Sequence, residues 1–409
     1  MGESNKAIHR SIGEFMKKLL IVSHTPHVTY EGSSYGWGPT VKEINFLSKY
    51  FLIEHIAPVH RMKEVPKSYL QVANEVRLIP TRDRGGKTIL AKFRVVVDSF
   101  EYTYLILKRL RYCDMVHVRC PSNISLIALI VLIFFRKKPK WIKYAGDWHP
   151  KKDFLSYWLQ RFLIKKFIGN QVATINDTEE RSSSIFHSFN PSYSLQEVKE
   201  TVILGKPNLR EQINILFVGS LSKNKGVDIL IGAIRSLSDD LHKKVNLTVQ
   251  IIGDGPELDE LKELTKRLHL DAVVRFEGWK SGNELKDYYL HAHVVVLPSR
   301  GEGWPKVVSE AMVHGVVPIV SDVSSIKKIL KGFEVGTVVE SFLPNEYSEA
   351  IRAYALNPDR WAAESSKAMI TATNFTYEHW ATRLFNLFEK HLSVKVVTNL
   401  TEPGGREIQ

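Results

Sequence analysis

The sequence has little that would hold it together through covalent or metal cross-links. It contains only two cysteines, Cys113 and Cys120, in 409 residues, which excludes a disulfide framework and fits a reducing compartment. No His and Cys cluster has the spacing of a zinc site, and no Asp-x-Asp triplet occurs. We therefore expect no metal and no other cofactor.

The sequence also has no apolar run long enough to cross a bilayer. The longest, Ile124 to Phe135, falls well short of the roughly 20 residues that a spanning helix needs. The apolar run near the N-terminus, Leu19 to Val22, is too short for a signal peptide. We expect a cytoplasmic protein without transmembrane segments.

The chain has an excess of basic residues, and they are unevenly distributed along the sequence. The formal net charge is +12, and the part up to Arg210 alone carries +15. No nucleic-acid-binding motif accompanies this charge, so we expect no nucleic acid partner. An apolar helix followed by Arg136, Lys137 and Lys138 favours peripheral contact with an anionic membrane on its inner face. A generally basic surface is the alternative.

Strand-like and helix-like segments alternate almost without interruption from Ile213 onward. Such alternation predicts a parallel sheet with helices on both faces, and the length predicts two domains. We place the boundary at the linker-like segment Gly205 to Asn208. The fold class is therefore α/β with two parallel-sheet domains.

One stretch, Ser299 to Gly315, indicates a ligand site. A glycine-containing loop leads into a helix that begins at Pro305 and ends before Gly315. Glu302 lies on the loop and Glu310 about a turn and a half inside the helix. A helix N-terminus favours an anion, and carboxylates accept hydrogen bonds from hydroxyls, as on a sugar and a ribose. Two solvated glutamates on a surface turn are the alternative.

The pattern E-G-x-P-x4-E-A-M-x-x-G, from Glu302 to Gly315, resembles the signature of family 4 glycosyltransferases of the GT-B fold. The resemblance implies two Rossmann-like domains that face a central cleft. It also implies that Glu310 binds ribose, that Glu302 binds the transferred sugar, and that Gly303, Trp304 and Pro305 border the donor.

A second loop, Gly219 to Gly226, resembles the family motif G-R-L-x-x-x-K-G. Lys225 matches the lysine that contacts the donor diphosphate, and Gly219 the first glycine. Ser220 stands where the motif has arginine, so one cationic contact is missing unless Lys223 supplies it. Without the motif, Lys225 would be read equally well as a surface lysine.

Two places in the first half resemble other family landmarks. The stretch after the first strand predicts a glycine-rich loop in which Gly36 and Gly38 lie near the donor phosphates. Asp147 follows a predicted strand, where relatives have a His or His-Asp pair near the transferred sugar, and His149 is displaced from that pattern. Asp147 could instead cap the next helix.

The resemblance implies an acceptor-binding domain over 1–208, a nucleotide-sugar-binding domain over 209–375, a helix over 376–393 that crosses back, and a tail over 394–409. The implied enzyme is a retaining glycosyltransferase that uses a nucleotide-diphospho-sugar and a glycan or polyprenyl-diphosphate-linked acceptor. Cell-surface polysaccharide or lipopolysaccharide synthesis is the implied pathway. A non-catalytic GT-B-like binding subunit and a GT-B nucleotide-sugar epimerase are the alternatives.

Overall fold

The computed structural model describes residues 16–81, 89–150, 154–176, 180, 182–201, 206, 208–241 and 245–398. The chain divides into two compact units. The first runs to Phe189 and resumes at Ala381, and the second runs from Asn190 to Trp380. This division falls before the predicted linker, of which Gly205 and Pro207 lie outside the described residues.

The first unit is built on a predominantly parallel sheet. Its strands are β1 (Lys17–Val22), β2 (His27–Tyr30), β3 (Ser33–Trp37), β4 (Phe51–Arg61), β5 (Tyr69–Gln71), β6 (Arg77–Thr81), β7 (Met115–Cys120), β8 (Lys140–Tyr144), β9 (Gln171–Ile175) and β10 (Ile185–His187). The strand order is β10-β9-β8-β7-β1-β4-β2-β3-β5, and β6 pairs with β4. Inner strands such as β8 are buried along their whole length, as expected for a parallel sheet covered on both faces.

The helices of the first unit connect these strands. They are α1 (Gly38–Leu47), α2 (Ile89–Leu110), α3 (Asn123–Ile133) and α4 (Leu155–Lys166). Side chains of α2, α3 and α4 share one apolar core with β1, β7 and β8. The chain moves in one direction across the sheet from β6 through β7 and β8 to β9, and right-handed crossovers in one direction place their helices on one face, so α2, α3 and α4 form one layer.

The glycine-rich stretch after β1 differs from the prediction of a loop. It forms the antiparallel hairpin β2–β3, in which His27 pairs with Gly36 and Tyr30 with Ser33. Glu31 and Gly32 both have positive φ values at the turn, as a tight hairpin requires. The stretch mixes small, polar and aromatic residues, so no clear period-2 pattern of a strand is visible in the sequence.

The second unit contains a fully parallel sheet of order β13-β12-β11-β14-β15-β16. Its strands are β11 (Gln212–Val218), β12 (Asn246–Ile252), β13 (Val274–Gly278), β14 (Val294–Leu297), β15 (Val317–Ser321) and β16 (Thr337–Val339). The predicted alternation of strand and helix is confirmed. The helices are α5 (Leu195–Lys199), α6 (Val227–Leu241), α7 (Leu258–Arg267), α8 (Gly282–His291), α9 (Lys306–Val313), α10 (Ile326–Phe333), α11 (Pro344–Ala355), α12 (Pro358–Ala372) and α13 (Tyr377–Leu392).

The segment just after Phe189 belongs to the second unit, where both its backbone and its side chains form hydrogen bonds. Tyr193 Oη donates to the carbonyl oxygen of Ala372 at 2.8 Å, and Ser192 N donates to that of Phe375 at 2.9 Å. From Ala381 on, α13 packs in the first unit: the Phe385 ring lies 5.3 Å from that of Tyr50, and the Phe388 ring 5.7 Å from that of Trp141.

Candidate functional site

Two loops of the second unit carry most of the predicted site residues. One follows β11 and runs from Gly219 to Gly226, and the other follows β14 and runs from Pro298 to Pro305. Strands β11 and β14 are parallel neighbours, so both loops leave the same edge of the sheet. The structure thereby brings Lys225 and Glu302 together across 77 positions of sequence.

Lys225 and Glu302 form an ion pair between Lys225 Nζ and Glu302 Oε1. The exposed fractions of their side chains are 24% and 13%, so both are shielded and both can still be reached from solvent. The loops are further joined by Arg300 N, which donates to the Asn224 carbonyl oxygen at 2.7 Å. Asn224 Nδ2 donates to the Gly301 carbonyl oxygen at 2.9 Å. These bonds hold the charged pair in one arrangement.

Gly226 makes the close approach of the two loops possible. Its φ is +68°, and a Cβ built on it would lie 2.1 Å from the Pro298 carbonyl oxygen. A side chain here would therefore meet both an unfavourable backbone conformation and a backbone atom that cannot move away easily. The glycine explains how Lys225, the preceding residue, is held next to the loop of Glu302.

We expect Gly226→Ala to lower the free energy of unfolding by about 2–5 kcal/mol, from left-handed strain and overpacking together. Gly278→Ala is the matched control, because its φ is +71° and nothing lies within 4 Å of a built Cβ. That control should lose only about 1–2 kcal/mol, from backbone strain alone. Urea unfolding of both variants tests this, and equal losses would contradict the steric argument.

The predicted helix after the second loop is present as α9, with a small shift at its start. Pro305 is the N-cap, not the first helical residue, and Gly315 has φ +67° just beyond the end, as predicted. Trp304 is buried, and its ring stacks on that of Phe375 with centroids 4.9 Å apart. Its indole is therefore in the core, so what this position can offer a ligand is the backbone at the start of the helix.

Glu310 lies inside α9 and is oriented by its neighbours. Its Oε2 accepts a hydrogen bond from Tyr289 Oη at 3.2 Å, and its carbonyl oxygen is bonded to His314 Nδ1 at 2.8 Å. Burial raises the pKa of Tyr289 well above its usual value, and Glu310 raises it further. Tyr289 therefore remains a hydrogen-bond donor that positions the carboxylate. Glu310, Glu302 and Gly303 are all partly exposed, so a ligand can reach them.

Ser220 is exposed, and its Oγ is 3.5 Å from Ser222 Oγ. Arg300, which the sequence analysis did not single out, links the second loop to the first through its side chain. Its Nη2 is 3.1 Å from Asp228 Oδ2, and its Nη1 donates to the Lys223 carbonyl oxygen. Arg300 thus places a guanidinium beside the loop that lacks the usual arginine. The only signal for it in the sequence was its place next to Gly301 in the second loop.

In the first unit, Asp147 lies in the loop after β8. Its side chain is exposed, and Oδ1 accepts a hydrogen bond from His149 N at 3.0 Å. This bond closes a local turn, and α4 begins only at Leu155, so Asp147 does not cap that helix. The neighbouring Trp148 is buried, and its Nε1 donates to Glu180 Oε2 at 2.7 Å, which anchors the loop.

The other predicted residues of the first unit pack against their own chain. A Cβ on Gly36 would lie 2.6 Å from the His27 ring, and one on Gly38 would lie 2.9 Å from the Ser68 carbonyl oxygen. Gly38 N also donates to that oxygen at 3.0 Å. Both glycines are therefore required by the hairpin and the start of α1, and their contact with a donor phosphate stays a prediction.

Sequence reasoning missed a buried ionic cluster in the first unit. Glu43 on α1 is bonded to Arg119 on β7 and to Lys143 on β8, each at 2.6 Å. Burial alone would raise the pKa of Glu43, but Arg119 and Lys143 outweigh it and hold that pKa well below its usual range. The carboxylate therefore stays ionised and links α1 to two strands of the sheet.

Three buried histidines, His27, His55 and His117, lie near this cluster. The His27 and His55 rings meet edge to face at 4.9 Å, and the His117 ring stacks on that of Trp141 at 3.6 Å. Burial lowers the pKa of each of the three below its usual value, and the pKa of His27 falls to about 4. All three are neutral in the folded protein at pH 7.

These lowered pKa values predict acid sensitivity. Unfolded histidine binds a proton below about pH 6.5, whereas folded His27 does so only near pH 4. The stabilising contribution of neutral His27 is therefore fully present above about pH 6.5, and it is lost as the pH drops toward 4. We expect His27 to remove about 1.5 kcal/mol between pH 6.5 and 5, and His55 and His117 to act in the same direction. Urea unfolding at both pH values tests this, and a His27→Gln variant with an undiminished pH dependence would contradict it.

Among the described residues, no group of three or more His, Cys, Asp or Glu is arranged to hold a metal ion. The predicted independence of metal stays a prediction. No helix within the described part of the chain is both long and apolar enough to span a membrane.

Comparison with known proteins shows which protein family this chain resembles. Residues 201–374 match the family model "Glycosyl transferases group 1". A D-inositol 3-phosphate glycosyltransferase of Catenulispora acidiphila is 31% identical over 192 residues, which cover 45% of either chain. The chain thus spans about half the length of the curated relatives it matches.

Solved structures resemble the chain over most of its length. Anabaena HepE in complex with UDP has a TM-score of 0.65 at 15% identity, covering 91% of this chain and 100% of that one. A lipopolysaccharide outer core galactosyltransferase, WaaB, has a TM-score of 0.63 at 17% identity, covering 91% and 99%. These matches confirm the GT-B fold and the predicted resemblance to group 1 glycosyltransferases.

Proposed function

We propose that this chain, whose residues 201–374 form a group 1 glycosyltransferase domain within a GT-B fold, is a retaining glycosyltransferase. It transfers a sugar from a nucleotide-diphospho-sugar to a glycan or a polyprenyl-diphosphate-linked acceptor. The observation that carries this proposal is the ion pair of Lys225 and Glu302, held beside the start of α9 with Glu310 farther along the same helix.

The roles follow from charge and position. The N-terminus of α9, next to Trp304 and Pro305, is the positive end of the helix dipole and favours an anion. Lys225 adds a positive charge, so together they stabilise the departing diphosphate. Glu302 accepts hydrogen bonds from the transferred sugar, and Glu310, oriented by Tyr289, accepts them from the ribose. Asp147 orients the sugar or the acceptor.

The same groups replace a divalent cation in this proposal. A leaving diphosphate needs positive charge in the transition state, which a helix N-terminus and a cation supply without metal. Lys225 is paired with Glu302 before the donor binds, so the donor's phosphates must draw the ammonium group away from that carboxylate. The pairing keeps both side chains in the site.

The physiological setting is proposed from the relatives. One is a lipopolysaccharide galactosyltransferase, which supports cell-surface polysaccharide or lipopolysaccharide synthesis for this chain. Another is solved with UDP, which supports a nucleotide-sugar donor. We propose a cytoplasmic location with peripheral contact at the inner face of the plasma membrane, where lipid-linked acceptors are present.

A thermal-shift screen against UDP, GDP, ADP and CMP, with and without magnesium, tests the donor site. A ligand at 100 times its dissociation constant stabilises the native state by about 2.7 kcal/mol, which gives a clear melting shift. We expect a shift with one nucleoside diphosphate that magnesium does not alter. The absence of a shift with all four would contradict the proposal.

A non-catalytic binding subunit is the second candidate, because Ser220 removes one cation from the diphosphate loop. The two candidates differ in turnover. A binding subunit would give the thermal shift with a nucleoside diphosphate but would release no nucleotide from any donor in the presence of acceptor glycans. Donor turnover without any acceptor would instead indicate an epimerase.

A further inference from the structure

The helical layer of the first unit has apolar side chains on its outer side as well as toward the core. Helix α2 buries Tyr102, Ile106 and Leu110, yet on its other side Phe100 and Tyr104 are 76% and 60% exposed. A surface helix of a soluble protein normally carries polar residues on that side. The outward apolar side chains of α2 recur at spacings of four and three, so they form a stripe and are not scattered.

The neighbouring helices repeat this feature. At the end of α3, Phe134 is 81% exposed, and on α4 Leu155 and Trp158 are 78% and 49% exposed. Helices α2 and α3 are in contact, and so are α3 and α4. We call the combined area the aromatic surface. It comprises Phe100, Tyr104, Leu107, Ile130, Phe134, Phe154, Leu155, Trp158, Phe162 and Phe167.

A groove between α2 and α3 adds apolar surface to this area. Its volume is about 510 Å³, and its lining includes Leu107 from α2 with Ile127, Ile130 and Phe134 from α3. The stacked rings of Trp158 and Phe162, with centroids 5.3 Å apart, form a flat apolar area on α4. Contiguous apolar areas of this kind on a soluble protein mark contact with another molecule or a membrane.

The charged side chains on α4 and in the loop after α3 are mainly basic. In contrast, α2 also carries the acidic residues Asp98, which is buried, and Glu101, and Glu180 pairs with Lys165. Helix α3 has no charged residue, and α4 contains Arg161, Lys165 and Lys166 but no acidic residue. Exposed Arg136 and Lys137 follow α3, and the loop that contains them contacts the loop after α4. A Cβ on Gly169 would lie 3.4 Å from Arg136 Cβ, and Asn170 Nδ2 donates to the Lys137 carbonyl oxygen at 2.7 Å.

We propose that the aromatic surface is the site at which this protein docks on an anionic lipid bilayer. Exposed rings and aliphatic side chains enter the interfacial region of the bilayer, while Arg136, Lys137 and Lys166 meet anionic headgroups. The combination of exposed rings with the exposed cations Arg136, Lys137 and Lys166 is what selects an anionic bilayer as the occupant. The purpose of docking, access to a lipid-linked acceptor, rests on the proposed function, but binding itself does not.

Co-sedimentation of the full chain with vesicles tests the proposal. The two vesicle types consist of phosphatidylcholine alone and of phosphatidylcholine mixed with phosphatidylglycerol. The protein should partition at least about tenfold more strongly onto the anionic vesicles, and added salt should weaken this binding. Equal partition onto both vesicle types would overturn the proposal.

Two sets of substitutions separate apolar from charged contributions. The variant Phe134→Ser, Leu155→Ser, Trp158→Ser removes exposed apolar groups, and its control changes the exposed Leu343, Leu356 and Ile370 of the second unit to serine. The variant Arg136→Gln, Lys137→Gln, Lys166→Gln removes charge, and its control changes the exposed Lys262, Lys266 and Arg267 of α7 to glutamine.

The variant at Phe134, Leu155 and Trp158 and the variant at Arg136, Lys137 and Lys166 are together called the aromatic-surface variants. Each should bind anionic vesicles at least about tenfold more weakly than the unaltered protein, and the controls should bind like the unaltered protein. Turnover with a water-soluble acceptor should be unchanged in all four, so failed docking and failed activity are distinguishable. Unchanged vesicle binding in both aromatic-surface variants would overturn the proposal. The proposal would also be overturned if the protein associated with itself in the absence of lipid and the Phe134, Leu155 and Trp158 variant did not. A second copy of the chain would then cover the surface.

Discussion

Replacing Lys225 by alanine should lower kcat for sugar transfer by about 10²–10³-fold, the usual cost of one preorganised group that stabilises developing negative charge. The effect has two physical sources. The variant removes the cation that faces the departing diphosphate, and it leaves Glu302, which is only 13% exposed, without the ammonium group that neutralises it. An uncompensated carboxylate beside the diphosphate would repel it. Steady-state kinetics with the donor identified by thermal shift measures the loss.

Lys223→Ala is the control for this prediction. Lys223 lies two residues earlier in the same loop and is exposed, so its removal changes the loop's charge without removing the ion pair with Glu302. Lys223 was the residue that the sequence offered in place of the missing arginine, but the Arg300 guanidinium lies beside this loop, so we expect kcat of Lys223→Ala to stay within about threefold of the unaltered protein. Near-normal rates in both Lys225→Ala and Glu310→Ala would contradict the assigned site.

The second unit was largely predictable from its sequence, for a physical reason. Strands such as β11 and β15 are short apolar runs separated by amphipathic helices, so their period is visible in the residue pattern. The meeting of Lys225 and Glu302 was implied because both follow parallel strands, whose carboxyl ends lie at one edge. That the two would pair with each other was not implied, since the sequence does not specify which carboxylate faces a given lysine.

The first unit was less predictable because its main contacts join distant positions. Glu43 is 76 positions from Arg119 and 100 from Lys143, and all three lie within otherwise ordinary amphipathic or apolar segments. A cation inside the strands Met115–Cys120 and Lys140–Tyr144 was the available signal, since charges in buried strands need partners. The β2–β3 hairpin was missed because glycine and serine in Ser33–Trp37 conceal its period.

Glu43→Gln should lower the free energy of unfolding by about 3–5 kcal/mol, the range found when one partner of a buried ion pair is removed. Glutamine matches the shape of glutamate, so the change removes charge without creating a cavity. Arg119 and Lys143, whose side chains are 15% and 10% exposed, would then repel each other in a poorly solvated place. Urea unfolding at pH 7 measures the cost.

Glu54→Gln is the matched control, because Glu54 also joins two cations, Arg77 at 3.3 Å and Arg109 at 3.2 Å, but is 30% exposed. Solvent screens that pair of contacts, so the control should lose no more than about 1 kcal/mol. A triple variant with apolar residues at 43, 119 and 143 should regain stability, because the cost of Glu43→Gln comes from unpaired buried charge and not from lost attraction. If Glu43→Gln cost no more than Glu54→Gln, burial would not govern the ionic cluster, and its role in joining α1 to the sheet would be refuted.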